Sequence, residues 1–212
     1  MKILHIHAKA QQDINQVLKK VKLSGKIGLT SSIQYLHKLP EAQKLIKNSI
    51  IAGQILGCDA SKAKAIASQV DCFLFIGSGI FHPVRIAIET NKPVYLANPE
   101  TNEFGMLPQK DIDDMRKSIR GKLAKLYSAE KIGILVSTKP GQHNMKKAFD
   151  IRNMFPEKES YIFIFNTLND SEFENFRDID FWVNTACNRI AGKNIINAED
   201  IKIEKPIINS YL

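Results

Sequence analysis

At 212 residues the chain is long enough for two small α/β units, each with a core of its own. Apolar content of 44% and charged content of 25% are those of an ordinary globular protein, which excludes the disordered and fibrous classes. Thirty Lys and Arg against 22 Asp and Glu leave a formal net charge of +8, a balance that attracts acidic partners. The cations are spread over "LKKVK" (18–22) and "MRKSIRGKLAK" (115–125) with no aromatic interleaving, so they read as solvated helix faces and no direct nucleic-acid contact is expected. No apolar run approaches the roughly 18 residues needed to cross a bilayer, so no membrane role is expected either.

In chain order, "KILHIHA" (2–8) predicts a first strand rather than a signal peptide, because its apolar run is short, broken by His5 and His7, and followed at once by polar residues. Nothing in it directs the protein out of the cytoplasm. His5 and His7 share one face of that strand, a structural setting. Helical periodicity follows over 10–21. "KIGLT" (26–30) reads as a strand, 40–50 and 60–68 as helices, "CFLFIG" (72–77) as a strand, 83–91 as a helix and "PVYLA" (93–97) as a strand. "QKDIDDMRKSIRGKLAKLY" (109–127) is a charged helix with Asp early and Arg and Lys late, the polarity the helix dipole favours. Strands are then predicted at 131–137, 160–166, 181–185 and 206–210, with helices at 142–154 and 169–176. Such alternation of strands and helices points to parallel sheets covered by helices.

The two halves resemble each other. "KIGLTSSIQ" at 26 matches "KIGILVSTK" at 131, "FLFIGSG" at 73 matches "FWVNTAC" at 181, "RIA" at 85 recurs at 189, and "KPVYL" at 92 recurs as "KPIIN" at 205. Matches in the same order at a spacing of roughly 105 residues indicate two copies of one unit. The fold class expected is therefore α/β, with two similar Rossmann-like domains at 1–108 and 128–212 and a connecting helix at 109–127.

Cysteine is rare here, and Cys58, Cys72 and Cys187 form no C-x-x-C and no even-numbered framework. Cys72 opens a buried strand and reads as a small core hydrophobe. Cys58 sits in a turn after Gly57 and before "DAS", a helix N-cap pattern; a helix start favours thiolate, the form that attacks or binds metal. Core and functional readings both stand for Cys58 on that pattern. Cys187 ends a strand, in the place Gly79 takes in the first half, and in open parallel sheets that edge is where ligands bind. "VSTKPGQ" (136–142) and "GSGIFHP" (77–83) are strand-to-helix loops able to cradle an anion or to act as plain turns. Neither has phosphate-loop spacing. His82, in the second loop, has a polar setting.

Together "GQILGCD", "FLFIGSGIFHP", "KPVYLANPET", "GILVSTKPGQ" and "WVNTACNRIA" resemble, in order, the diphthamide synthase family, the archaeal and eukaryotic 2-(3-amino-3-carboxypropyl)histidine synthases. The resemblance runs from about residue 26 to the C-terminus. It implies domains equivalent to the second and third of the family's three. It also implies a [4Fe-4S] cluster between domains that each give one cysteine, and S-adenosylmethionine as the second cofactor. The reaction implied is reductive transfer of a 3-amino-3-carboxypropyl group to a histidine of translation elongation factor 2. Carried over by motif, Cys58 and Cys187 are the second and third cluster ligands, converging at an interdomain cleft within on the order of 6–7 Å. Cys72 matches no ligand. By position, Lys139 and Gln142 would hold the carboxylate or amine end of S-adenosylmethionine, and His82 would line the cleft.

The chain departs from the family at Asn188, where the family has proline, and at Ile80, where it has arginine. It shows no counterpart of the first domain or its cysteine. That implies a separate chain supplying the missing domain, or a homo-oligomer that covers the cleft. The alternative is a non-catalytic scaffold or electron-relay partner of a complete homologue. A metal-free protein binding a nucleotide or other small molecule in the same cleft is the remaining class.

Overall fold

The computed structural model describes Leu4, residues 6–190 and residues 192–201. The chain divides into two compact units, Met1–Met115 and Arg116–Leu212. The first contains α1 (Asn15–Leu18), β1 (Ile27–Ser31), α2 (Leu39–Leu45), β2 (Ser49–Gln54), α3 (Ser61–Ile66), β3 (Cys72–Ile76), α4 (Phe81–Thr90), β4 (Val94–Asn98) and β5 (Glu103–Met106). The unit boundary falls within α5 (Gln109–Ser128). The second unit continues with β6 (Lys131–Ser137), α6 (Met145–Met154), β7 (Glu159–Phe165), β8 (Phe181–Asn184) and β9 (Ile195–Asn197).

The first sheet has the order β2-β1-β3-β4-β5 and is parallel except for β5, which returns antiparallel on β4. The second has the order β7-β6-β8-β9 and is wholly parallel. Central strands of both are buried on their two faces and mainly apolar, β3 throughout, whereas β1, β6 and β8 end on the buried polar residues Ser31, Ser137 and Asn184. Ile27, Leu29, Leu74, Ile76 and Cys72 meet α1 and α2 through Ile14, Val17, Leu39 and Ala42 on one face of the first sheet. In the second unit Trp182 is the centre of a ring cluster. Phe163 and Phe173 each lie 4.8 Å from it in edge contact.

The internal repeat is visible in packing. Gly28 of β1 lies opposite Phe73 of β3, and Gly133 of β6 lies opposite Trp182 of β8. In each pair a Cβ on the glycine would collide with the neighbour's ring. Both central strands keep a glycine because the aromatic ring folds over its backbone, a close approach that only glycine permits.

Several expectations are corrected. The described residues of 2–8 form no strand, and Leu4 and Ile6 are exposed, because that alternating run has no sheet neighbour among the described residues. The helix expected at 10–21 is the single turn of α1, opened by Asp13 Oδ1 accepting the Asn15 amide at 2.9 Å. The pattern over 40–50 joined two elements. Asn48, at φ 58, ends the helical course, and its carbonyl accepts from Ile27 as β2 begins. Residues Asp170–Asn175 are a 3-10 turn rather than an α-helix. β5 and β9 had no sequence signal. The "RIA" match does not pair like structures, for 85–87 lies within α4 whereas Arg189 and Ile190 lie in no helix. β9 takes the place beside β8 that β4 takes beside β3, and the strand expected at 206–210 lies outside the described residues.

Candidate functional site

In the first unit the site residues gather at the C-terminal edge of the parallel strands. After β2, Ile55 still donates its amide to the Ser31 carbonyl at 2.9 Å. Leu56 and Asp59 then exchange both backbone hydrogen bonds, at 3.0 and 3.1 Å, leaving Gly57 and Cys58 as the tip of a tight turn. Asp59 Oδ1 accepts the Ser61 amide at 2.8 Å and so starts α3. Hydrogen bonds from the Ser61 side chain and backbone hold the Asp59 carboxyl below its usual pKa, helped by Lys62 and Arg85. Cys58 is half-buried.

The turn that follows β3 abuts this one. Gly77 and Gly79 both take positive φ, at 152° and 75°, and open space surrounds the place of a Gly79 side chain. Phe81 then begins α4, with its ring against Gly57. His82 is half-buried on the first turn of α4 rather than on the loop. Its ring lies 5.6 Å from Phe81 and 5.8 Å from Phe75. Gly57 and Phe81 thus connect the Cys58 turn to the helix start that carries His82.

In the second unit β6 runs into the loop holding Lys139 and Gln142. Lys139 is exposed and Gln142 half-buried. α6 starts at Met145, capped by Asn144 Oδ1 accepting the Lys147 amide at 3.0 Å, so Gln142 belongs to the loop and not to the helix. The loop satisfies many of its own groups. Thr138 donates to the Phe165 carbonyl, Lys139 to Ser137 Oγ, Gln142 to the Lys139 carbonyl, and His143 Nδ1 to the Ser137 carbonyl. Those three amides are therefore not offered to an anion; what the loop presents outward is the Lys139 ammonium.

Cys187 follows β8 at the same edge of the sheet and is half-buried. Polar groups that sequence reasoning missed fix first the end of β8 and then the loop beyond it. Thr185 donates both its amide and Oγ1 to the Leu135 carbonyl, at 3.1 and 2.8 Å. Asn184, fully buried, donates Nδ2 to the Cys187 carbonyl and to Asn197 Oδ1, both at 2.8 Å, and accepts the Ala186 amide at 2.9 Å. Asn197 Nδ2 reaches the Asn188 carbonyl at 3.4 Å. Asn188 Oδ1, by contrast, is buried and meets no hydrogen-bond donor among the described residues, an acceptor left over in the residue that follows Cys187. The sequence signal for this network was the polar residue closing an otherwise apolar "FWV".

The three cysteines separate cleanly. Cys72 is 6% exposed within the core, and burial, with Asp71 beside it, pushes its thiol pKa up. That environment suppresses the thiolate that a metal requires. Cys58 and Cys187 sit on loops at the strand ends, each half-buried. Soft sulfur donors in that position suit iron–sulfur or zinc coordination. Among the described residues no group of at least three Cys, His, Asp or Glu is gathered to hold a metal ion.

Comparison with known proteins places the chain. The diphthamide synthesis protein family matches residues 1–211. The chain is 33% identical over 187 residues to the 2-(3-amino-3-carboxypropyl)histidine synthase of Pyrococcus horikoshii, covering 80% of this chain and 52% of that protein. It is 29% identical over 185 residues to the synthase of Methanocaldococcus jannaschii, covering 86% and 51%. It is also similar to the crystal structure of Dph2 from Pyrococcus horikoshii with a 4Fe-4S cluster. That likeness has a TM-score of 0.79 at 28% identity, over 92% of this chain and 63% of that one. The chain spans about half the length of the curated relatives it matches. With the family matched over nearly its whole length, the chain belongs to the diphthamide synthesis proteins.

Proposed function

We propose that the chain carries part of a 2-(3-amino-3-carboxypropyl)histidine synthase, with Cys58 and Cys187 as thiolate ligands of a [4Fe-4S] cluster. The observation that supports this reading is the placement of these two thiols on hydrogen-bonded loops at strand C-terminal ends, in a chain of this family, while the third thiol is in the core. The residues fit the group in kind, since both donors are sulfur, and the orphaned Oδ1 of Asn188, the residue that follows Cys187, leaves an acceptor for a ligand N–H. They do not complete it, because such clusters take about four ligands. The remaining ligands then come from outside these 212 residues, in the same polypeptide, in another chain or in a second copy.

When bound, such a cluster supplies the single electron that cleaves S-adenosylmethionine. Overall the sulfonium loses its 3-amino-3-carboxypropyl group and leaves as the neutral thioether 5′-methylthioadenosine. A ring carbon of the target histidine gains that group and gives up one proton, so atoms and charge balance and the electron is returned. This chain's side chains bind and orient. Lys139 reaches from its loop to the cofactor carboxylate, Gln142 hydrogen-bonds the amino-acid end, and His82 with Phe81 walls off water beside Cys58. The histidine belongs to translation elongation factor 2, met in the cytoplasm. No described helix is long and apolar enough to cross a membrane.

Anaerobic reconstitution with iron and sulfide tests this, alone and with a full-length family member as partner. Wild type and Cys72→Ala are expected to turn brown and bind iron, whereas Cys58→Ala and Cys187→Ala lose most of it. Absence of brown absorbance in every mixture removes the enzyme reading. Cells in which Cys187→Ala still makes diphthamide, but deletion of the chain does not, would identify a scaffold instead.

A further inference from the structure

We propose that Asn184 is a positioning residue for Cys187, held in the core to fix the loop that presents this thiol; its bearing on catalysis rests on the ligand role proposed for Cys187. A buried amide is tolerated only when its polar atoms are bonded, so a 0% exposed asparagine at the end of an apolar strand calls for a reason. Here both of its donors and its oxygen are directed at the cysteine loop or its support. Oδ1 takes the Ala186 amide, one Nδ2 hydrogen goes to the Cys187 carbonyl and the other to Asn197 Oδ1. The orientation of the amide follows from its partners. A backbone N–H can only donate and a carbonyl can only accept, so a flipped side chain would lose both bonds.

Asn197 extends the clamp to the other side of the thiol by donating to the Asn188 carbonyl at 3.4 Å, and is itself held by Asp200 Oδ2 at 3.3 Å. Ile190 adds its amide to the Cys187 carbonyl at 2.9 Å. Backbone groups at 186, 187 and 188 are therefore all fixed, and none of these bonds uses Sγ.

The repeat shows that the fold itself does not require this network. Asn184 and Asn197 are register partners on β8 and β9. The pair in the same place on β3 and β4 is Ile76 and Ala97, both fully buried, and the loop after Ile76 has no cysteine. One copy closes its strand end with an apolar pair. The other replaces that pair with two amides at the place where a cysteine follows.

The test uses Asn184→Asp in the purified 212-residue protein. Asp keeps the acceptor for Ala186 but sets oxygen against both the Cys187 carbonyl and Asn197 Oδ1. Thr185→Val is the control: it removes a buried hydrogen bond one residue away that does not touch the carbonyls at 187 or 188. Iodoacetamide alkylation of each cysteine is followed by peptide mass spectrometry, beside the unfolding midpoint and the iron bound on anaerobic reconstitution. Asn184→Asp is expected to raise the Cys187 alkylation rate by about tenfold, the loss of roughly one hydrogen bond's restraint on the loop, with Cys58 unchanged. Thr185→Val is expected to lower the midpoint while leaving the ratio of Cys187 to Cys58 rates as in wild type. Equal effects of the two variants on that ratio, or no effect of Asn184→Asp, overturn the proposal. Should Asn184→Asp fail to fold, Asn197→Ala, which loses only the outer bonds, is expected to raise Cys187 reactivity to a smaller extent, and no rise overturns the proposal equally. Wild type that binds no iron, either alone or with the full-length family member, sinks the ligand reading and leaves the alkylation result standing. Iron retained in full by Asn184→Asp sinks the positioning role and leaves the ligand reading standing.

Discussion

Gly57 lies so close to the Phe81 ring that no Cβ fits between them. Gly57→Ala must therefore displace the ring or the Cys58 turn, an overpacking cost of about 1–3 kcal/mol. Chemical unfolding should show that loss, together with an altered alkylation rate at Cys58 and none at Cys187. Unchanged stability and Cys58 reactivity would mean that this contact does not set the turn.

The paired glycines of the central strands make a second prediction. A methyl at Gly133 meets the Trp182 ring and one at Gly28 meets the Phe73 ring, whereas one at Gly105 meets open space. Gly28→Ala and Gly133→Ala should each cost about 1–3 kcal/mol, and Gly105→Ala should stay within about 0.5 kcal/mol of wild type. Trp182 fluorescence in Gly133→Ala reports whether the ring has moved. A wild-type spectrum and stability would remove the packing account of the repeat.

These glycines also show what the sequence carried. "KIG" in both halves was legible as a repeat, and the apolar runs within β3, β6 and β8 were legible as buried strands, because a strand covered on both faces shows a near-continuous apolar run rather than alternation. β2 was lost inside a helical pattern, since the reversal at Asn48 depends on a left-handed φ that composition does not announce. β9 has only Ile195–Asn197, too short for any period to show. The cysteines stood out by rarity and by their places at strand ends. The amides that hold Cys187 did not, for Asn184 and Asn197 meet only when β8 and β9 pair.

Asp59 gives a pH prediction. Its folded pKa lies below the usual carboxylate value because Ser61 hydrogen bonds favour the ionised form. A depressed folded pKa contributes stability that is present above the unfolded pKa of about 4 and is lost as pH falls through the folded value. Ser61→Ala removes the side-chain donor, the largest cause of the shift. The stability difference between wild type and Ser61→Ala should therefore shrink as pH falls from about 5 toward 2. Urea unfolding across that range checks it. A difference that stays constant or grows on acidification would show that the Asp59 charge is not what the bonds from Ser61 stabilise.

Cys72 carries the last prediction, with the opposite sign. Burial, and then Asp71, raise its thiol pKa, so the fold favours the neutral form. A raised folded pKa contributes stability that is fully present below the unfolded value of about 8.5 and is lost as pH rises through the folded value. Near pH 8 native Cys72 should alkylate at least about a hundredfold more slowly than in urea, both because the thiolate is scarce and because the group is 6% exposed. Cys58 and Cys187 should react without unfolding. Cys72→Ala leaves a small cavity, at about 1 kcal/mol near neutral pH. Part of that difference should disappear above about pH 9, where the wild-type thiol ionises more readily on unfolding. Iron uptake should be unaffected, because a ligand must ionise and Cys72 is held neutral. Rapid native alkylation of Cys72, or loss of iron in Cys72→Ala, would overturn its place as a core residue and bring a third sulfur into the donor set.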